Sequence, residues 1–448
     1  MRSSAFLRLG CLAALGMSLF YQSCTKTDIP FPWEGDHHPE GNGNAKNNMV
    51  LYWNNKAATV LGIPMRQPDR TRYFAIIEIA VHDALNNIKP RYERYVLNEP
   101  TTNASPDAAV ASATYWAIKG LNLQGSFPID AWYDSALSFV PSNAQKDAGI
   151  TLGKHAAEAI IANRANDGYT EVIPSSLIPA NGTTPGAYRQ TNAIPFRLIP
   201  NWGTVLKPYV VQSNDQFRPA GPYDVQSAEY AADYNEIKGK GVREGSTRTP
   251  DETKLTLFWS ENRVSILWND FANVVIADKK MDAWQTARFF ALFHTAMGDG
   301  FNTVLESKYH FYYWRPETAI HEGENDNNPA TTADANWIPF VIESVQPTPP
   351  GNWVSPPIPE YPSGYAMAGG IATEILRQTV GGDYISVNFT TATLPGTTLH
   401  YNSLAKAARD NSIGKMYAGW YFRKAVLDGE DMGRKIAYYV STHSFRAQ

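Results

Sequence analysis

The stretch AWQTARFFALFHTAMGDGFNTVLESKYHFYY, residues 283–313, carries the strongest helical pattern in the chain and sets the reading of the rest. Apolar side chains return along it at the spacing that gives a helix one buried face. The same periodicity runs through residues 69–87, where Phe74, Ile77, Val81 and Leu85 form a stripe widened by Ile76, Ile79 and Ala80. It recurs in 107–119, 144–166, 227–237, 253–277, 366–379 and 403–443. Strand-like alternation is sparse, with 387–393 a short candidate. No repeat of about 20–50 residues is visible. Two stretches rich in Pro, Gly, Asn and Thr, 169–222 and 321–359, interrupt the helices. Loops of that length usually shape a site or cover one. The expected fold class is all-α, a helical bundle with long irregular loops.

Of the 448 residues, 43% are hydrophobic and 18% charged, so the chain can bury a large core without disulfides. The formal charge of −4 argues against a nucleic-acid partner, because a phosphate backbone calls for a basic face. The first residues stand apart. Arg2 and Arg8 accompany an apolar run from Leu9 to Phe20, which is short for a membrane span and suits a signal peptide over 1–23. The run ends at Ser23-Cys24, which resembles a bacterial lipoprotein cleavage site with Cys24 as the lipid acceptor; ordinary cleavage beside a chance cysteine is the alternative. Residues 24–48 read as a polar tether and 49–448 as the folded domain. The chain is thus expected to be exported and held on a bacterial envelope membrane by lipid. Cys11 would leave with the signal, so neither a disulfide framework nor a zinc–thiolate site is available. His37-His38 reads as a solvated pair in the tether.

Three segments of the last third carry chemistry. The first, KYHFYYWRP, holds Lys308 and Arg315 seven apart, followed by Pro316. Seven steps of about 100° return a helix to within about 20°, so both cations are expected on one face, with Pro316 ending or kinking the helix beyond them. A lone pair of this kind is also an ordinary snorkelling Lys and Arg. The second, PEYPSGYA, places Ser363 and Gly364 at the entrance of a small-residue helix. Its backbone N–H groups and hydroxyl could cradle an anion, or Ser363 could simply be an N-cap. The third runs from Gly414-Lys415 to Tyr421-Phe422-Arg423, with a cation and a phenol six apart. That spacing puts them about 120° apart on a straight helix, so a shared ligand needs a break, which Gly419 permits.

Taken together, Lys-x6-Arg-Pro, then Pro-Ser-Gly, then Gly-Lys-x5-Tyr resembles the three-part signature of the vanadium-dependent haloperoxidases and the related type 2 phosphatidic acid phosphatases. The likeness reaches upstream to 72–86, 262–277 and 287–299, and it is nearest to the bacterial chloroperoxidase-like branch. It implies that Lys308, Arg315, Ser363 and Gly364 contact an oxyanion, vanadate or phosphate. Three positions depart. Lys415 stands where the family has a second Arg, exchanging a planar fork for a point charge. Tyr365 stands in place of the acid–base His, and a phenol with a pKa of about 10 is a poor proton shuttle at neutral pH. Tyr421 stands in place of the His that ligates vanadium or attacks phosphorus, and it offers no neutral ring nitrogen. None of His294, His310, His321 and His400 matches a family position, and His82 and His310 read as core or rim residues.

The expected function is an oxyanion pocket for vanadate, phosphate or a phosphorylated small molecule, with peroxide-dependent halide oxidation weak, lost or rewired. Vanadate is the implied cofactor, with its ligating His absent. One alternative is a rewired acid–base enzyme or weak phosphatase using Tyr365 and Tyr421. Another is a non-catalytic lipoprotein that binds a partner or glycan through aromatic residues such as Trp202, Tyr209 and Trp353.

Overall fold

Capping and apolar stripes start the helices where the sequence supplies both. The computed structural model describes residues 48–171, 179–190, 202–277, 279–341 and 355–448; the expected signal segment, Cys24, all but the last residue of the expected tether and Trp353 lie outside them. Helix α1 (Met49–Leu61) starts on Asn48, whose side chain accepts from the amides of Val50 and Leu51. It is followed by α2 (Gln67–Ile88), α3 (Pro106–Gly120), α4 (Ile129–Ser138), α5 (Ala144–Asn163), the single turn α6 (Trp202–Val205) and α7 (Ala228–Lys240). Then come α8 (Pro250–Phe258), opened by a Thr249–Glu252 capping box, α9 (Val264–Ala277) and the 29-residue α10 (Ala283–Phe311). The last elements are α11 (Pro316–His321), α12 (Gly364–Val380), the antiparallel hairpin β1 (Tyr384–Thr390) and β2 (Thr398–Ser403), α13 (Leu404–Tyr417) and α14 (Arg423–His443). Among the described residues, helix takes 57% and strand 5%, which makes the fold all-α as expected.

Several expected boundaries move. The 253–277 pattern is two helices, α8 and α9, and the 403–443 pattern is α13 and α14. The second break centres on Gly419, whose φ of +93° suits a residue without a Cβ. The strand begins at Tyr384 rather than Val387 because its ladder starts with Tyr384 opposite Ser403. Helices α1 and α4 carry no expectation from periodicity.

A repeat longer than any expected organises the core. Trp53-Asn54 of α1 recurs as Trp268-Asn269 of α9, and Ala80 to Asn86 of α2 as Ala296 to Asn302 of α10, with Asp83 matching Asp299. The geometry repeats as well. Ser105 caps α3 and its amide donates to Gln145 O (2.7 Å); Ser363 caps α12 and its amide donates to Ala425 O (3.0 Å). A Cβ on Gly149 of α5 would stand 2.5 Å from Ser105 O, and one on Gly429 of α14 would stand 2.4 Å from Ser363 O. Glycine is therefore required where each capped helix crosses its partner. The units α1–α2–α3–α5 and α9–α10–α12–α14 are two copies of one four-helix plan.

Where the copies meet, Asn54 and Asn269 donate to each other's Oδ1, at 3.1 and 3.0 Å. Glu78 accepts from Asn54 (2.9 Å), and His294 Nε2 lies 3.0 Å from Asn269 Oδ1. Burial pushes the Glu78 carboxyl up to about 7, above its ordinary range. The unfolded chain therefore loses this proton first, and the contribution of Glu78 to stability falls as pH rises from about 4.5 to about 7. Glu78→Gln keeps an acceptor for Asn54 and removes the titration. Its unfolding free energy should match the parent near pH 4.5 and exceed it by up to about 3 kcal/mol at pH 8, read by urea unfolding at both pH values.

Candidate functional site

At its C-terminal end α10 buries Lys308, whose ammonium donates to the carbonyls of Pro359 (2.8 Å) and Glu360 (2.7 Å). The helix ends at Phe311, because Tyr312 takes a left-handed conformation (φ +47°). Arg315 is the extended N-cap of α11, so it does not share a helix face with Lys308. The two cations meet instead across a strap. Arg315 donates Nε to Ile358 O (2.8 Å), Nη1 to Trp420 O (2.8 Å) and Nη2 to Pro359 O (3.4 Å). Carbonyls of 358–360 therefore hold both side chains.

Ser363 lies beside the strap, and its Oγ accepts from the amide of Ala366 (3.3 Å), which is the N-cap reading. Gly364 presses against α10, where a Cβ would meet Val304 at 3.3 Å. Its lack of a side chain thus serves helix packing. Lys415, at the end of α13, is buried and donates to Glu261 O (2.9 Å). Its ammonium stands 4.0 Å from the ring centre of Tyr365 and 5.1 Å from that of Trp420. Tyr421, just before α14, is buried with its ring 4.7 Å from the guanidinium of Arg315 and 5.4 Å from the ammonium of Lys308. Tyr365 is half-buried, and its ring meets that of Tyr421 at 6.3 Å. Contacts thus link Lys308, Arg315 and Tyr421 to Tyr365 and Lys415, with Ser363 and Gly364 adjoining Tyr365 in sequence.

Charge is unusually concentrated here. Burial and the neighbouring Arg315 hold Lys308 well below its ordinary range. Glu360, which sequence reasoning passed over, has a fully buried carboxyl whose Oε1 accepts from the amide of Phe422 (2.8 Å). Burial pushes it up to about 8, against the pull of Arg315 and Lys308. The signal was an acidic residue set between two prolines just before the Ser-Gly entrance.

The donor set does not fit vanadate as a ligated cofactor. Position 421, expected from the resemblance to supply a ring nitrogen, holds a phenol whose ring stands near both cations. Described histidines engage elsewhere: His82 contacts Glu93 O, His294 contacts Asn269, His321 contacts Trp337 O and His400 contacts Asn388, while His310 is an exposed residue packed edge-on to Phe311. Among the described residues no group of three His, Cys, Asp or Glu could hold a metal ion. Trp202 and Tyr209 are buried, which removes them as surface recognition residues.

Comparison with known proteins places this geometry in context. Residues 288–447 match the family model of the VCPO second helical-bundle domain. Over 444 aligned residues the chain is 22% identical to the vanadium chloroperoxidase of Curvularia inaequalis, covering 80% of this chain and 68% of that one. Its fold is similar to the first bacterial vanadium-dependent iodoperoxidase crystal structure, with a TM-score of 0.72, 21% identity, and 89% of this chain and 96% of that one covered. The holo-type bacterial vanadium-dependent chloroperoxidase gives a TM-score of 0.63 at 16% identity, covering 85% of this chain and 93% of that one.

Proposed function

From the match of residues 288–447 to the second helical-bundle domain and from the shared fold, we propose that the chain is a member of the superfamily of vanadium-dependent haloperoxidases that binds a tetrahedral oxyanion without oxidising halide. The ligand is vanadate, phosphate or the phosphoryl group of a small molecule. The mature protein is an exported lipoprotein, anchored through Cys24 on a bacterial envelope membrane.

One observation carries the reading. Lys308 and Arg315 are buried side by side, and their hydrogen bonds go to neutral carbonyls. The buried carboxyl beside them, Glu360, is pushed up to about 8 by burial, so near neutrality the pair lacks a full counter-charge and calls for an anion. Lys415, whose ammonium lies over the ring of Tyr365, adds a third positive charge. Catalysis is a separate matter, because neither phenol replaces what an imidazole does as ligand or proton shuttle.

Calorimetry should give binding of phosphate and of vanadate, with saturation below about 1 mM. Bromide and peroxide should give no bromination, with or without vanadate. Absence of heat from both ligands at millimolar concentration would remove the oxyanion site. Vanadate-dependent bromination by the natural chain would remove the claim of lost chemistry.

A further inference from the structure

We propose that Glu360 is the resident counter-anion of the Lys308–Arg315 site, and that a tetrahedral oxyanion binds there together with a proton taken up by Glu360. This rests on the oxyanion reading given above and adds what regulates it. The strap that carries Glu360 also holds both cations: its carbonyls at 358–360 receive the hydrogen bonds of Lys308 and Arg315. The Glu360 side chain is wholly buried, with Oε1 on the Phe422 amide, next to Tyr421 in the chain. Its Oε2 has no hydrogen-bond partner among the described residues.

A carboxylate with one bare oxygen is poorly held in a dry site unless positive charge acts on it from nearby. Here Lys308 from α10 and Arg315 ahead of α11 supply that charge. The other titratable groups that face it are Asp233 of α7, Tyr313 and Tyr361. Asp233 is a like charge, and the two phenols, themselves raised by burial, stay neutral. With no ligand and at alkaline pH, an ionised Glu360 balances the two cations. An oxyanion arriving beside them brings a second negative charge into the same low-dielectric space. Protonating Glu360 relieves that repulsion, and the Oε2 atom is the open place for the proton.

The sign follows from linkage. Where Glu360 is already neutral, pH leaves binding unchanged. Above the pH at which it ionises in the unliganded protein, affinity falls about tenfold per pH unit, because each binding event must recruit a proton. Lys308 could produce a similar fall by losing its own proton, so the test must separate the two.

Inorganic sulfate is the probe, since it keeps one charge state across the range. Calorimetry of the full mature chain should show binding about tenfold weaker at pH 9 than at pH 7. Glu360→Gln should lose that slope and bind about tenfold more tightly than the parent at pH 9. Titration of the parent at pH 9 in two buffers of different ionisation heat should show close to one proton taken up per sulfate bound, a readout that needs no variant. Equal parent affinity at both pH values, a slope retained in Glu360→Gln, or no proton uptake at pH 9 overturns the role of Glu360 and leaves the oxyanion site standing. If neither sulfate nor phosphate binds the parent at any pH, both readings fall.

Discussion

A variant carrying Tyr365→His, Lys415→Arg and Tyr421→His together is expected to brominate an indicator dye in the presence of vanadate, bromide and peroxide, at a rate about 10²-fold or more above the natural chain. Each substitution repairs a different deficit. Tyr421→His removes the phenol ring now 4.7 Å from the guanidinium of Arg315 and restores a neutral ring nitrogen at the ligand position. Lys415→Arg restores a planar fork where a point charge now donates to Glu261 O and stacks on Tyr365. Tyr365→His supplies an acid–base group that titrates near neutrality, on the half-buried side of the cluster. Groups that act as a unit are strongly non-additive, so the single variants should each remain close to the parent. The controls are vanadate omission and circular dichroism to show that the variant is folded. A folded triple variant without vanadate-dependent bromination would mean that the strap and Glu360, and not the three swaps alone, close the site.

The sequence disclosed the cluster but not its mechanics, and the reasons are physical. Lys308, Arg315, Ser363, Lys415 and Tyr421 were legible because their order and spacing resemble a known signature. Helical phase alone would set Lys308 and Arg315 on one face, and the structure sets them on separate elements. Tyr312 leaves the helix at φ +47°, and the cations meet through the carbonyls of 358–360, a tertiary contact that periodicity does not report. Helix breaks at 259–263 and 418–422 were hidden because apolar residues continue through them. Phe258, Trp259 and Val264 are all buried, as are Ala418, Trp420 and Tyr421. Glu360 escaped notice because a lone acid is ordinarily a surface residue, and only its burial beside two cations makes it unusual. The duplication was readable in principle, since Trp-Asn recurs at 53–54 and 268–269, but its period is far longer than that of common repeats.

That duplication leads to a further expectation with a large effect on stability. Asp83 accepts the amides of Tyr95 (2.7 Å), Val96 (2.7 Å) and Leu97 (2.9 Å), and its counterpart Asp299 accepts those of Tyr209 (2.6 Å), Val210 (2.8 Å) and Val211 (3.0 Å). Each carboxylate is buried and ties an irregular segment to a long core helix through three consecutive N–H groups. Asp299→Asn would turn one acceptor oxygen into an NH₂ facing backbone donors, leaving at least one buried N–H without a partner. It would also remove the charge that faces Arg164. Losing a buried, charge-assisted set of hydrogen bonds costs about 3–5 kcal/mol. Asp83→Asn should cost a similar amount, because the three-amide arrangement is the same. Urea denaturation of the two single variants checks both magnitudes. A cost below about 1 kcal/mol for Asp299→Asn would show that the segment at 209–211 is held by its own packing. Asp299 should matter for the site as well, because the chain continues from 211 to Gly221, where φ is +116° and a Cβ would stand 2.9 Å from the ring of Phe311. Phe311 in turn packs edge-on against Tyr361 at 5.2 Å, next to Glu360, so loosening the 209–211 anchor should also weaken oxyanion binding in the same variant.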